Sequence, residues 1–406
     1  MRQREALQIY LYKLVHGEKP GFLAALVLGV LYVFSLIYGL GVRVKLGFYK
    51  NGFKKQHKLD CTVISLGNIT VGGTGKTPTA QQLASIIYDM GYKVVILNRG
   101  YRAGWKGDVG LVSDGRKIFM SVNEAGDEAY LLAKNLPGVP VVIGKDRAIT
   151  GDYAVKQLKA DVVILDDGYQ HWKLARDLDI VLIDTRNVFG NNFMLPRGTL
   201  REPLANLARA HAYLLTKVDQ SSHNARTSIR NVLARYNCVA PVVESIHNPR
   251  AFLEIQDWYK KGLRCTKINL EAVRNKRVLA FSAIGNPSSF EQTVADTGVS
   301  SIEAVRFPDH HGYTMAEMQS IMQKAVDQGA CALITTEKDA VKIPAEFIHS
   351  DRPLPVYILS IELDFVDGFE DFMVLIKNVL KPRSGVVNNV VPITNAVRRR
   401  GIEVSK

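Results

Sequence analysis

The stretch GNITVGGTGKTPT, Gly67 to Thr79, decides the fold. A phosphate-binding loop reads Gly, four residues, then Gly-Lys-Ser/Thr. Gly75-Lys76-Thr77 satisfies the second half, but Thr70 stands where the first glycine belongs. Context resolves the ambiguity. Upstream, CTVISLGN (Cys61 to Asn68) is a β-branched apolar run ending at a glycine, the pattern of a buried strand. Downstream, TAQQLASIIYDMGY places Leu83, Ile86, Ile87 and Met90 on one helical face, with Gly91 as a C-cap. Strand, glycine loop, lysine, hydroxyl and amphipathic helix together make a phosphate cradle. Backbone N–H groups approach the anion and the helix N-terminus adds partial positive charge. The reading assigns Thr70, Val71, Gly72, Gly73, Thr74, Gly75, Lys76 and Thr77 to nucleotide binding, with Lys76 on the β/γ-phosphates and the Thr77 hydroxyl on Mg²⁺. Pro78 suits the first helical turn, where an N–H is not needed. Gly72-Gly73 carries the tight turn that Thr70 does not.

Working outward, KVVILNRGY, DVVILDDGYQ, DIVLIDTR and HAYLLTKVD are further continuous apolar runs, separated by helical patterns. Such alternation indicates a parallel sheet covered on both faces, with ligands at the carboxyl ends of its strands. Those ends carry Gly67, Arg99, Asp166, Asp167 and Asp184. The adjacent carboxylates Asp166 and Asp167 are the acidic partner that a nucleotide-bound Mg²⁺ needs, because the metal relieves their mutual repulsion. The fold expected is α/β: a P-loop NTPase-type parallel-sheet domain, a second smaller α/β domain, and an N-terminal membrane helix. The divisions fall at 1–58 (anchor and basic flank), 59–246 (kinase domain), 247–274 (connection), 275–380 (second domain) and 381–406 (flexible basic tail).

The anchor is Gly21 to Val42, without a single charge. As a helix it reaches about 33 Å against roughly 30 Å of bilayer hydrocarbon. It starts too late and runs too long for a cleaved signal peptide. The denser basic cluster lies downstream (Arg43, Lys45, Lys50, Lys54, Lys55, Lys58), which puts the C-terminal side in the cytoplasm. Arg2, Arg4, Lys13 and Lys19 make the upstream flank basic as well, so a helix lying in the interface stays open. The net charge of +13 gathers around this segment and in the tail, a distribution that suits an anionic membrane surface and an anionic substrate rather than nucleic acid. Cys61, Cys238, Cys265 and Cys331 form no CxxC pair and read as reduced core residues.

A second functional reading is a membrane-tethered nucleotide switch, because Thr216-Lys217-Val218-Asp219 matches the guanine-reading element of GTPases. Such a switch also needs Asp-x-x-Gly, and the spacing at the acidic pair falls short, since Asp167 is followed directly by Gly168.

With NRGYR, GDEAYLLA, IGKDRA, LDDGYQH, GNNFMLPRGTLREP and FPDHHGYT following the loop in this order, the chain resembles the tetraacyldisaccharide 4′-kinase family, from the anchor to about residue 375. The resemblance implies a membrane-associated ATP- and Mg²⁺-dependent kinase of the Gram-negative inner membrane, with its catalytic domains on the cytoplasmic side. Its implied reaction moves the ATP γ-phosphate to the 4′-hydroxyl of an anionic acylated disaccharide lipid in lipid A biosynthesis. It further implies Asp127 and His310 as an acid–base pair, Lys76 and Arg147 as catalytic, and Asp166, Asp167, Thr77 and Glu202 at the metal. Arg99, Tyr101, Gln170 and Arg201 would line the cleft. Read from the residues alone, Asp127 in AGDEAYLLA is a helix N-cap, and Thr335 to Asp339 either caps a strand or lines the cleft.

Overall fold

A computed structural model of the chain describes Leu14 and residues 21–380; the upstream basic flank and the tail 381–406 lie outside the described residues. Thirteen strands form one sheet among them: β1 (Thr62–Gly67), β2 (Val94–Asn98), β3 (Gly110–Ser113), β4 (Val141–Ile143), β5 (Val162–Asp166), β6 (Leu178–Asp184), β7 (Ala212–Thr216), β8 (Val242–Glu254), β9 (Lys267–Ile268), β10 (Arg277–Ser282), β11 (Ser301–Arg306), β12 (Leu333–Thr336) and β13 (Val356–Asp367). Their order is β11-β10-β12-β13-β8-β7-β6-β1-β5-β2-β4-β3, with β9 paired to β8 off this path.

In the first half, β4, β2, β5, β1, β6 and β7 pair in parallel, as strands buried on both faces do, and only the edge strand β3 runs antiparallel, against β4. Every residue of β1, β2, β5, β6 and β7 is buried. Parallel pairing β2–β5–β1–β6–β7 sets the carboxyl ends of these strands side by side, so Asn98, Asp166, Gly67, Asp184 and Thr216 meet along one edge. The helix Lys76–Asp89 buries Leu83, Ala84 and Ile87 against this sheet, with Ile86 and Met90 partly covered. Each fully buried leucine or isoleucine contributes about 1.5–3 kcal/mol on leaving water. Gly91, at φ 88°, ends the helix with its N–H on the Tyr88 carbonyl. The helix Phe369–Val379 returns from the far end of the chain to add Phe372, Met373 and Ile376 to the same core.

Residues 247–274 are not a patternless connection. β8 runs unbroken to Glu254 and pairs antiparallel with β13, which joins the two halves into one sheet. Pro249 disguises this strand in the sequence, but it sits at a register shift opposite Ile361, where the ladder tolerates a missing N–H. The next helix, Ile255–Lys261, buries Trp258 completely. Cys61 and Cys265 are buried, whereas Cys238 is exposed in the loop after the helix His223–Tyr236 rather than in the core.

Among the described residues, one helix, Phe22–Lys50, is long and apolar enough to cross a membrane and leaves most of its surface uncovered. Phe22, Leu23, Ile37 and Leu40 are among its exposed side chains, while Ala24, Ser35, Gly39 and Leu46 face inward.

Candidate active site

Thr70 can replace the usual glycine because the backbone there is extended. It bridges antiparallel to Leu200, with Val71 N–H on the Thr199 carbonyl (2.8 Å) and Arg201 N–H on the Ile69 carbonyl (2.7 Å). The left-handed turn falls later, at Gly75 (φ 83°), where a Cβ would stand 3.0 Å from the His247 ring. Only glycine fits that backbone without strain.

Lys217, from the element that resembles a guanine reader, props the loop from beneath. Its Nζ donates to Asp184 Oδ2 (2.5 Å) and to the Gly73 carbonyl (3.3 Å), and the Thr216 hydroxyl donates to the Thr74 carbonyl (3.1 Å). Asp219, the residue that would read the base, is not among the residues lining the cleft above. This motif supports the phosphate loop, and the switch reading is not favoured.

Lys76 Nζ lies 3.2 Å from Asn68 Oδ1 and 3.7 Å from Asp167 Oδ1. Arg201 Nη1 donates to the same Asp167 oxygen at 2.8 Å. Burial by itself would raise the Asp167 carboxyl, but Lys76 and Arg201 hold it at about 2. Its neighbour behaves oppositely: burial, reinforced by the charge of Glu128, pushes Asp166 up to about 7. Asp166 Oδ2 accepts from Asn98 Nδ2 (2.8 Å), while the buried Oδ1 has no hydrogen-bond partner among the described residues. An orphaned carboxylate oxygen in a cleft that also holds the Thr77 hydroxyl is a hard donor set of the kind Mg²⁺ takes alongside phosphate oxygens and water. The described residues contain no cluster of three or more His, Cys, Asp or Glu side chains able to hold a metal unaided.

Across the cleft, His310 Nδ1 lies 2.8 Å from Asp127 Oδ2. Asp127 is not the helix cap: Gly126 occupies that position, and Asp127 begins the helix Asp127–Asn135 with its Oδ1 on the Glu128 N–H. Burial tends to raise the Asp127 carboxyl, but the His310 hydrogen bond and the charge of Lys338 outweigh it, leaving the group below the ordinary carboxylate range. His310 adopts a left-handed backbone (φ 64°), and the Tyr101 ring packs 5.2 Å from its imidazole.

The cleft between these groups measures about 990 Å³ and is lined by Thr70 to Pro78, Arg99, Tyr101, Asp166, Asp167 and Arg201, with His310 and Lys338 from the second half of the sheet. Four expected site residues are absent from this lining: Asp127, which is hydrogen-bonded to His310, and three that lie elsewhere. Glu202 is buried away from the cleft, both its oxygens taken by Arg209 (3.1 and 3.2 Å) and one also by Asn206 (2.8 Å). A carboxylate so paired is a structural anchor for its loop rather than a metal ligand. Gln170 donates to the Asn68 carbonyl (2.9 Å) behind the loop. Arg147 is 3% exposed beneath the acidic pair, its pKa lowered by burial to about 10; it lends charge to Asp166 and Asp167 without lining the cleft.

Asn68, Glu128 and the structural use of Lys217 carry no distinctive signal in the sequence. Thr336 caps the helix Glu337–Ala340 rather than a strand, and this helix carries Lys338 into the cleft, 3.2 Å from Glu128, so the segment lines the cleft through Thr336, Glu337 and Lys338. Asn68 closes the first strand directly before the loop, a placement visible in the sequence but without a distinctive pattern.

Comparison with known proteins identifies one family over most of the chain. The family model for LpxK, tetraacyldisaccharide-1-P 4′-kinase, matches residues 27–381. A tetraacyldisaccharide 4′-kinase of Desulfatibacillum aliphaticivorans is 39% identical over 349 residues, covering 85% of this chain and 91% of that protein. One from Syntrophus aciditrophicus (strain SB) is 40% identical over 344 residues, covering 82% and 88% respectively. Among solved structures, an "apo" form of LpxK from Aquifex aeolicus in complex with ATP superposes with a TM-score of 0.68 at 30% identity, over 87% of this chain and 100% of that one.

Proposed function

The chain belongs to the tetraacyldisaccharide-1-P 4′-kinase family, and on that premise we propose how its residues divide the work of phosphoryl transfer. It is a lipid A 4′-kinase: ATP donates its γ-phosphate to the 4′-hydroxyl of tetraacyldisaccharide 1-phosphate. The observation that carries the division of roles is one cleft with a cationic phosphate cradle on one wall and, on the other, His310, which is hydrogen-bonded to Asp127.

Glycine-loop N–H groups and Lys76 hold the β- and γ-phosphates. Arg201, fixed by Asp167, places a second cation where charge spreads over the transferring oxygens. Thr77 and Asp166 would hold Mg²⁺, which when bound neutralises charge on the β- and γ-phosphate oxygens. Asp127 accepts the proton of the attacking hydroxyl. Its depressed pKa keeps it ionised near neutral pH, and since an ionised carboxylate only accepts, His310 carries its proton on Nδ1 and orients the base.

The helix Phe22–Lys50 seats the enzyme on the inner membrane with the cleft on the cytoplasmic side, where Arg43, Lys45 and Lys50 meet anionic headgroups. Mass spectrometry of lipid A precursors after depletion of the protein tests the function. Accumulation of the disaccharide lacking one phosphate is expected; an unchanged lipid profile would contradict it.

A further inference from the structure

The helix Phe22–Lys50 exposes Leu36 (56%), Ile37 (61%) and Leu40 (61%), yet Ser35 in their midst is only 3% exposed. Ser35, Tyr38 and Gly39 share one face by their spacing of three and four. That face meets residues 193–201. Arg197 N–H donates to Ser35 Oγ (2.9 Å), whose hydroxyl is shared between the Met194 carbonyl (2.8 Å) and the helix's own Leu31 carbonyl (3.0 Å). Tyr38 OH donates to the Arg201 carbonyl (3.1 Å), Tyr32 packs edge-on to Phe193 (5.8 Å), and a Cβ on Gly39 would reach Met194 at 3.9 Å. An anchor that served only to hold the enzyme at the bilayer would need none of these polar contacts.

The contacted segment is the one that completes the phosphate loop. Thr199 and Arg201 pair through their backbones with Val71 and Ile69, and the Arg201 guanidinium bonds Asp167 beside Lys76. We infer that Ser35 and Tyr38 are positioning residues, which hold Arg201 and the entry of the phosphate loop in register through residues 193–201, so that the membrane helix is part of the phosphoryl-transfer apparatus. The inference rests on the kinase reading and extends it to residues outside the cleft.

Three full-length variants test it: Tyr38→Phe, which removes only a hydroxyl, Ser35→Ala, and the pair combined. Two readouts are taken, lipid kinase kinetics in mixed micelles of nonionic detergent and tetraacyldisaccharide 1-phosphate, and amide hydrogen exchange. Each single variant should lower kcat about 3- to 10-fold, the loss that follows from one neutral hydrogen bond, with the lipid KM shifted by no more than about twofold. Exchange at the Val71 and Arg201 amides should quicken in the combined variant, with the rest of the sheet unchanged. Wild-type kcat together with wild-type exchange would overturn the inference, as would a defect confined to lipid KM, the mark of a simple anchor. If even the unmodified protein moved no phosphate to the lipid, the kinase reading would fail; the exchange comparison would still decide the positioning role.

Discussion

Asp127 and His310, 183 positions apart in sequence, meet at 2.8 Å across the seam between the two halves of the sheet. Acting as a unit, their losses should not add. Asp127→Ala and His310→Ala are each expected to lower kcat by roughly 10²–10⁴, and the double variant to be little worse than the poorer single one. A stability-corrected double-mutant cycle on kcat checks this; additive losses would show two independent roles.

The same pair sets a pH dependence. The Asp127 carboxyl is depressed in the folded protein, so both its stabilising contribution and its ionised, base-competent form are present above the ordinary carboxylate range and lost as pH falls through the folded value. His310→Ala removes the main lowering influence while burial, which raises the pKa, remains. The acid limb of the residual kcat should therefore move to higher pH. Superimposable pH–rate profiles for the two proteins would contradict the assignment.

Asp166 carries the opposite strain. Its pKa is raised to about 7 by burial, so in metal-free protein the folded state holds this proton more tightly than the unfolded chain, and stability falls as pH rises from the ordinary carboxylate range through 7. Asp166→Asn removes that cost. The variant is expected to gain roughly 1–2 kcal/mol over wild type at pH 8 without metal, a rise in Tm of about 1–3 °C for a chain of this size, while losing Mg²⁺-dependent activity. Calorimetry showing equal or lower Tm would indicate that Oδ1 is satisfied.

Glu202 separates a structural carboxylate from a metal ligand. Glu202→Ala strands Arg209 in a largely buried site, so a loss of about 3 kcal/mol of stability is expected, with Mg²⁺ affinity of the folded fraction unchanged. Calorimetric titration of the protein with MgCl₂ in the presence of a non-hydrolysable ATP analogue decides; a large drop in affinity would return Glu202 to the metal site.

Much of this was legible from local pattern. The strand–loop–helix of Gly67 to Thr79, the acidic pair ending β5 and the alternation of buried strands all follow from apolar runs and glycine chemistry over short spans. What stayed hidden depends on partners distant in sequence. Glu202 looks like any acidic residue until Arg209 and Asn206 fold against it, and Thr70 looks like a defect until Leu200 pairs with it. Pro249 imitates a break because a register shift is a property of two strands, not one. Asp127 reads as a cap from its own neighbours; only His310, from the far half of the chain, gives it another use.

The central claim is transfer of phosphate to a sugar hydroxyl, through the loop that holds Lys76. Purified full-length protein incubated with γ-labelled ATP, Mg²⁺ and tetraacyldisaccharide 1-phosphate should pass label to the lipid, and phosphorus NMR should place it at the 4′ position. Lys76→Ala should abolish the transfer, because the β- and γ-phosphates lose their charged contact. Label released only as inorganic phosphate, or undiminished transfer by Lys76→Ala, would contradict the account.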